Sequence, residues 1–268
     1  NISECNNCGF VFRNSRPENE KIISYYSQNN KFDQWLDQEK GRDILFKKRL
    51  QMVRKYKKDG RLLDVGAGIG QFLFFAKTYF KITGTEISNS AIRIAKEKYG
   101  INLINTTIEK ANFNSDSFDI ITLIHVLEHV PSPSQTINTC RNLLAKEGVI
   151  VIAVPNELNN FFSIRERLVK RIKAFIRRRN YIKRYSLLKI NMEDPYGEIH
   201  LSFFTDKCLK YLLEKNGFKI INDSLDPYYP SFGNKRKRDD LRYMKYLLLK
   251  KITGINLYDT IWIAAKKI

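Results

Sequence analysis

A chain of 268 residues with 43% hydrophobic content can fill the core of one large domain with attachments, or of two small ones. Its longest apolar runs, "DIITLIHVL" and "GVIVIAVP", fall short of the roughly 18 to 20 residues that cross a bilayer, so no transmembrane span is expected. The formal net charge of +19 is strongly basic, but most of it falls in two late segments.

The first thirty residues carry no basic start followed by an apolar core, so no secretory signal is expected. The four cysteines, Cys5, Cys8, Cys140 and Cys208, are not spaced as a secreted disulfide framework, which makes a reducing cytoplasm the expectation. The chain opens on Asn1 rather than Met, so further residues are expected upstream. Residues 1–58 read as an extension that begins "ECNNCGFVFRNSRP" and ends in a segment where Ile44, Leu45, Leu50, Met52 and Val53 recur at helical spacing.

Residues 59–268 read as one domain. Short apolar strands at 61–65, 81–86, 102–107, 118–124 and 148–154 alternate with helices at about 70–79, 89–99 and 134–145. Continuous apolar strands separated by helices predict a doubly wound α/β domain whose parallel sheet is covered on both faces. Beyond Pro155 a long basic helical segment occupies 157–190, with eleven Lys and Arg against Glu166 alone between Arg165 and Lys189. A helix at about 205–216, ended by Gly217, leads into the strand "FKIINDSL". A second basic helix, about 235–252, sets eight Lys and Arg against Asp239 and Asp240 before the last strand, "LYDTIWIAA". The two basic inserts thus span about 157–197 and 231–252.

The first strand runs into "DVGAGIG", with Gly66, Gly68 and Gly70 ahead of a helix. Strand, glycine loop and helix start make a nucleotide cradle, because glycine lets a ligand approach the backbone and the helix start offers unpaired N–H groups. No Lys-Ser or Lys-Thr follows, which argues against a P-loop. Asp64, two residues ahead of Gly66, would repel a pyrophosphate but attract a cationic sulfonium and amino group. Glu86 ends the second strand, eighteen residues after Gly68, where a carboxylate can accept both hydroxyls of a ribose.

The segments "LLDVGAGIG", "GTEIS", "SFDIITLIHVLEHVPSP", "GVIVIAVPN" and "HLSFFTDKCLKYLLEKNGF" fall in an order that resembles class I S-adenosylmethionine-dependent methyltransferases. The likeness is greatest to the group holding ubiquinone-biosynthesis O-methyltransferases and many polysaccharide-cluster enzymes. It implies a Rossmann-like, mostly parallel seven-stranded sheet and S-adenosyl-L-methionine as cofactor. By that resemblance Asp64, Gly66, Ala67, Gly68 and Gly70 bind the methionine end, Glu86 the ribose, and Ile87 the adenine. An acid often follows the third strand in this family; Thr107 stands there, followed by Ile108, so the adenine amino contact departs from the pattern.

His125, Glu128 and His129 follow the fourth strand, where this fold presents its acceptor, and His125 is grouped with the cofactor contacts. His129 resembles the family's Glu-His pair and His200 a histidine that often precedes the next helix; either is a candidate general base. Glu128 with His129 could instead hold a divalent ion, as the resemblance to quinone O-methyltransferases allows, or both could simply pack the turn before Pro131. "DPYG" at 194–197 resembles part of an amino-methylating motif but lies after the fifth strand, which argues against base N-methylation. Cys140 and Cys208 lie on apolar helix faces and read as core. "CNNCG" resembles the second knuckle of a zinc ribbon, and Cys5 with Cys8 supplies only two of the four ligands a closed zinc site needs.

These readings favour methyl transfer to a small-molecule or saccharide acceptor, at oxygen, in cell-surface glycan or lipid-linked biosynthesis. An RNA methyltransferase using the basic helices, or a non-catalytic cofactor-binding adaptor, is the alternative. In 161–176, Phe161, Phe162, Ile164, Leu168, Ile172 and Phe175 lie opposite Arg and Lys, the layout of an interfacial helix. The inserts are therefore expected to form a cationic lid facing a phosphate-bearing or lipid-linked acceptor, on a cytoplasmic protein peripheral to the inner face of a membrane.

Overall fold

The computed structural model describes residues 2–28, 31–176 and 197–268. A hairpin of β1 (Ile2–Glu4) and β2 (Val11–Arg13) leads to α1 (Asn19–Gln28), a 3-10 helix at Lys31–Gln38 and α2 (Glu39–Val53). The alternation follows: β3 (Gly60–Val65), α3 (Gln71–Ala76), β4 (Phe80–Glu86), α4 (Asn89–Tyr99), β5 (Ile104–Asn105), β6 (Phe118–Ile124), α5 (Pro133–Leu143) and β7 (Leu144–Pro155). The last part holds α6 (Phe161–Ile176), β8 (Ser202–Phe203), α7 (Asp206–Lys215), β9 (Phe218–Ser224), α8 (Gly233–Thr253) and β10 (Thr260–Lys267).

The expected doubly wound sheet is present, with seven strands in the order β5-β4-β3-β6-β7-β10-β9. β10 runs antiparallel to both its neighbours, and the other pairings are parallel. Alternate residues along each strand enter opposite layers, as a period of two requires. Leu62, Ile120, Val151 and Trp262 pack with α2, α3 and α4, whereas Leu63, Ile121, Ile150 and Ile263 pack with α5 and α7. The order of the strands reverses between β3 and β6, so their C-terminal ends open the crevice where this architecture binds ligands.

The N-terminal extension is built into this frame. β2 pairs with β8, Val11 opposite Phe203, and Phe46, Leu50 and Val53 of α2 share a core layer with Phe72 of α3. Cys140 and Cys208 are buried, as their apolar helix faces imply. The strand expected over 102–107 shrinks to Ile104–Asn105, two exposed residues at the sheet edge that pair with Thr85 and Glu86 at the end of β4. The helix expected over 70–79 stops at Ala76. Of the basic helix expected over 157–190, Phe161–Ile176 is helical; the remainder, and residues 194–196 of "DPYG", lie outside the described residues.

Candidate active site

β3 delivers Asp64 to the crevice at 4% exposure, where the Thr122 hydroxyl on β6 donates to its Oδ1 at 2.6 Å. Burial pushes the Asp64 carboxyl up to about 7, so a cation placed beside it would favour the charged form. Gly66, Gly68 and Gly70 all have positive φ, at 64°, 54° and 71°. A Cβ on Gly66 would lie 2.6 Å from Val126 Cγ2, so the glycine lets the turn after β6 press against the loop. Ala67 takes part in the same turn, its N–H donating to Thr85 O at 2.9 Å.

Glu86 is buried at the end of β4 and its carboxylate ties the loop to the next one. Its Oε2 accepts from Gly68 N at 2.8 Å, and its Oε1 from Ile87 N at 2.7 Å and Ser88 N at 2.9 Å. Ile87 is half-buried beside it, ahead of α4. Thr107 lies past β5 with its carbonyl accepting from Lys110 N and Ala111 N, which makes it a turn residue. Ile108 is buried in the core layer that holds Val65, Leu123 and Leu127, a packing position.

Three residues at this loop escape pattern reading. Phe32 and Trp35, from the 3-10 helix, stand over Gly68, and a Cβ there would lie 3.1 Å from Trp35 Cζ3. The Arg42 guanidinium stacks on the Trp35 ring at 3.4 Å and reaches Gln71 Oε1 at 3.4 Å. Arg42 is 8% exposed and has no ion pair among the described residues. Burial holds it below the usual arginine range, at about 9, so the pocket lacks the negative charge this cation needs. In sequence Phe32, Trp35 and Leu36 share one turn of helical spacing, too short to mark an element, and nothing there singles out Arg42.

The turn after β6 carries the candidate catalytic groups. His125 adopts a φ of 57° and its Nε2 lies 3.1 Å from Asp226 Oδ2, while Nδ1 lies 3.5 Å from Glu128 Oε1. Two carboxylates raise the His125 imidazole against the effect of its burial, so the structure assigns it to a charge network in addition to its expected place near the cofactor. Asp226 is in turn gripped by Arg49 of α2. This Arg49–Asp226–His125–Glu128 chain joins three separate stretches of sequence.

Glu128 is 1% exposed, and neither of its carboxylate oxygens has a hydrogen-bond partner among the described residues. Its compensation is ionic: His125 at 3.5 Å, His129 Nε2 at 3.8 Å, and the charge of His200. His129 Nδ1 lies 2.9 Å from Ile199 O, and since a carbonyl only accepts, that nitrogen carries the proton and the neutral ring's lone pair sits on Nε2. Tyr26 fixes the same arrangement, accepting from Ile199 N at 2.8 Å and lying 2.9 Å from His129 Nδ1. His200 packs edge-on against the His129 ring, with centroids 4.9 Å apart. Glu157 at 3.0 Å and Glu198 at 3.5 Å raise His200 to about 10, so as placed it is an imidazolium and cannot accept a proton at neutral pH. That removes the general-base role expected of it in this state.

Glu128, His129 and His200 bring one ligand atom each within 4.8 Å of one another, and the unpartnered Glu128 oxygens suit a divalent cation. His200 would have to shed its extra proton to join such a site. Cys5 and Cys8 form a turn in which Gly9 N donates to Cys5 O at 2.9 Å, and backbone N–H groups lower the Cys5 thiol. The metal-capable cluster found among the described residues does not include them.

Residues 38–222 match the family described as a methyltransferase domain. The chain belongs to this family. It is 30% identical over 201 residues to a ubiquinone biosynthesis O-methyltransferase of Colwellia psychrerythraea, covering 72% of this chain and 75% of that one. A protein of the same description from Coxiella burnetii is 30% identical over 179 residues, 65% of this chain and 69% of its own. Against a relative of that description from Saccharophagus degradans the match, at 35% identity, spans 36% of this chain and 44% of the relative. Among solved structures, a methyltransferase of Thermotoga maritima superposes with a TM-score of 0.56 at 18% identity, covering 92% of this chain and all of that one. Magnesium protoporphyrin IX methyltransferase of Synechocystis, crystallised with S-adenosylmethionine, gives 0.56 at 12% identity over 96% of this chain and all of its own. The protein is a class I S-adenosylmethionine-dependent methyltransferase.

Proposed function

We propose that this methyltransferase methylates a hydroxyl oxygen of a small-molecule or saccharide acceptor that enters between the glycine loop and the turn after β6. The observation that carries the reading is buried Glu128 beside half-buried His129 in the turn whose Val126 presses on Gly66, with His129 held so that Nε2 carries its lone pair. The relatives described as O-methyltransferases support oxygen as the acceptor atom.

On this reading Asp64 faces the amino and sulfonium charges of the cofactor, Glu86 the ribose, Ile87 the adenine, and Arg42 the methionyl carboxylate it otherwise lacks. Phe32 and Trp35 cover the donor and exclude water. Transfer is an in-line displacement, in which the methyl–sulfur bond breaks as the methyl–oxygen bond forms, so alignment supplies most of the rate. His129 Nε2 takes the hydroxyl proton, and Glu128 stabilises the imidazolium that results. A divalent ion held by Glu128, His129 and His200 would instead lower the pKa of the acceptor hydroxyl as a Lewis acid. Tyr26 and the Ile199 carbonyl hold the His129 ring, and Glu157 holds His200.

The test is transfer of a labelled methyl group to glycan, quinone and tRNA pools, with and without chelator. Label in an alkali-stable ether of a glycan or quinone, lost in His129→Gln, is expected. Label appearing in tRNA bases, or no turnover despite cofactor binding, would overturn the reading in favour of an RNA enzyme or an adaptor.

A further inference from the structure

The 16-residue helix α6 buries none of its residues. An amphipathic helix of this length is marginal in water and gains its stability from whatever covers its apolar face. Here Leu168, Ile172 and Ile176 recur every fourth residue beside Phe175, which is 85% exposed. α8 repeats the pattern: Leu241, Met244, Leu248 and Ile252 are spaced by three, four and four residues, and Ile252 is 74% exposed.

The opposite side of α8 is fastened to the domain, so its stripe cannot roll inward. Lys250 is buried between Asp206 and Asp223, and Asp240 accepts from Lys48 of α2 at 2.7 Å. Arg242 joins the two helices, its guanidinium 5.3 Å from the centroid of the Phe162 ring. Cations flank both stripes. Arg165, Arg171 and Lys173 are exposed on α6, and Lys237, Arg238, Lys245 and Lys251 on α8. None of these four on α8 has an ion pair among the described residues.

We propose that α6 and α8 form one docking surface for an anionic lipid bilayer. The two demands of the surface select this occupant. A second copy of the chain would offer apolar area but add another cationic face at contact, whereas a nucleic acid would neutralise the cations but leave Phe175, Ile172 and Ile252 in water. An anionic lipid interface satisfies both, with aliphatic and aromatic side chains below the headgroups and Lys and Arg among the phosphates. Both helices belong to the inserts between β7 and β10, so docking would set the acceptor crevice at the bilayer and suit a lipid-linked acceptor.

The probe is flotation of the full chain with vesicles of phosphatidylcholine alone, or of phosphatidylcholine with about one third phosphatidylglycerol, at about 100 mM and about 500 mM salt. Flotation is expected only with the anionic vesicles and weaker at the higher salt. The double variants Ile172→Glu/Phe175→Glu and Leu248→Glu/Ile252→Glu should each lower vesicle affinity about tenfold or more, with circular dichroism and S-adenosylmethionine binding unchanged. No flotation with anionic vesicles, or variants that float like the parent, would overturn the proposal. Light scattering that shows a dimer dissolved by the same variants, without flotation, would overturn it in favour of a second copy. Vesicle binding needs no turnover, so this proposal stands or falls separately from the proposed acceptor chemistry.

Discussion

Arg49 of α2 grips Asp226, 177 residues away, with Nε 2.8 Å from Oδ1 and Nη2 on Oδ2, and both side chains are almost fully buried. Through Asp226 this pair reaches His125 at the head of the acceptor crevice. Arg49→Leu leaves a buried carboxylate facing only His125, and should cost about 3–5 kcal/mol, read as a fall in denaturant midpoint. The Asp226 carboxyl is held well below its ordinary 3.8, at about 2, against burial by Arg49 and His125. Its contribution to stability is therefore present above pH 3.8 and lost as pH falls through about 2. That acid limb should flatten in Arg49→Leu, and an unchanged limb would contradict the assignment.

Asp64 titrates with the opposite sign. Its carboxyl lies at about 7 in the folded chain against an ordinary 3.8, so between those values the folded state holds the extra proton and stability declines with rising pH. The charged form is the one that attracts a cationic donor, so S-adenosylmethionine affinity should rise as pH passes through about 7. Calorimetric titration from acid to alkaline pH should show that rise in the parent and a weak, pH-flat affinity in Asp64→Asn.

Gly68→Ala is expected to weaken cofactor binding on two counts. The residue sits at a φ of 54°, which L side chains adopt at a cost of about 1–2 kcal/mol, and its Cβ would press on Trp35 and Phe32. Trp35→Ala removes the cover without the backbone strain, and because its half-buried ring packs on Phe32 and under Arg42 it should cost stability as well as affinity. Unchanged affinity in Trp35→Ala would remove its role as cover.

Tyr26→Phe deletes the hydroxyl that bridges Ile199 and His129. The cost should be about 1–2 kcal/mol of stability, since Ile199 N loses its acceptor in a part-buried site. If the bridge orients the base, kcat falls with KM for S-adenosylmethionine unchanged; a rise in KM alone would assign Tyr26 to packing.

The doubly wound sheet and the glycine loop are legible because each is written in contiguous residues: apolar strands, their helices, and "DVGAGIG" with Glu86 eighteen residues after Gly68. Strand β5 is shorter than the pattern implies: Ile104 and Asn105 are exposed at the sheet edge and bury nothing that would favour a longer ladder. His200 was nominated as a base from its neighbours in sequence. Its charge is raised by Glu157, 43 residues away, as well as by neighbouring Glu198, and the first of these no local pattern contains.

The sequence by itself determined the glycine-loop unit of this protein: Asp64, the three glycines and Glu86 lie on one strand–loop–helix–strand unit whose geometry is local. Only the tertiary structure decided what surrounds it. Phe32 and Trp35 from the extension close over Gly68 with Arg42 stacked on Trp35, Arg49 reaches Asp226, and Tyr26 and Ile199 aim His129. These contacts join residues far apart in the chain and exist only once the sheet register and the docking of α1 and α2 are set, so no spacing in the sequence could announce them.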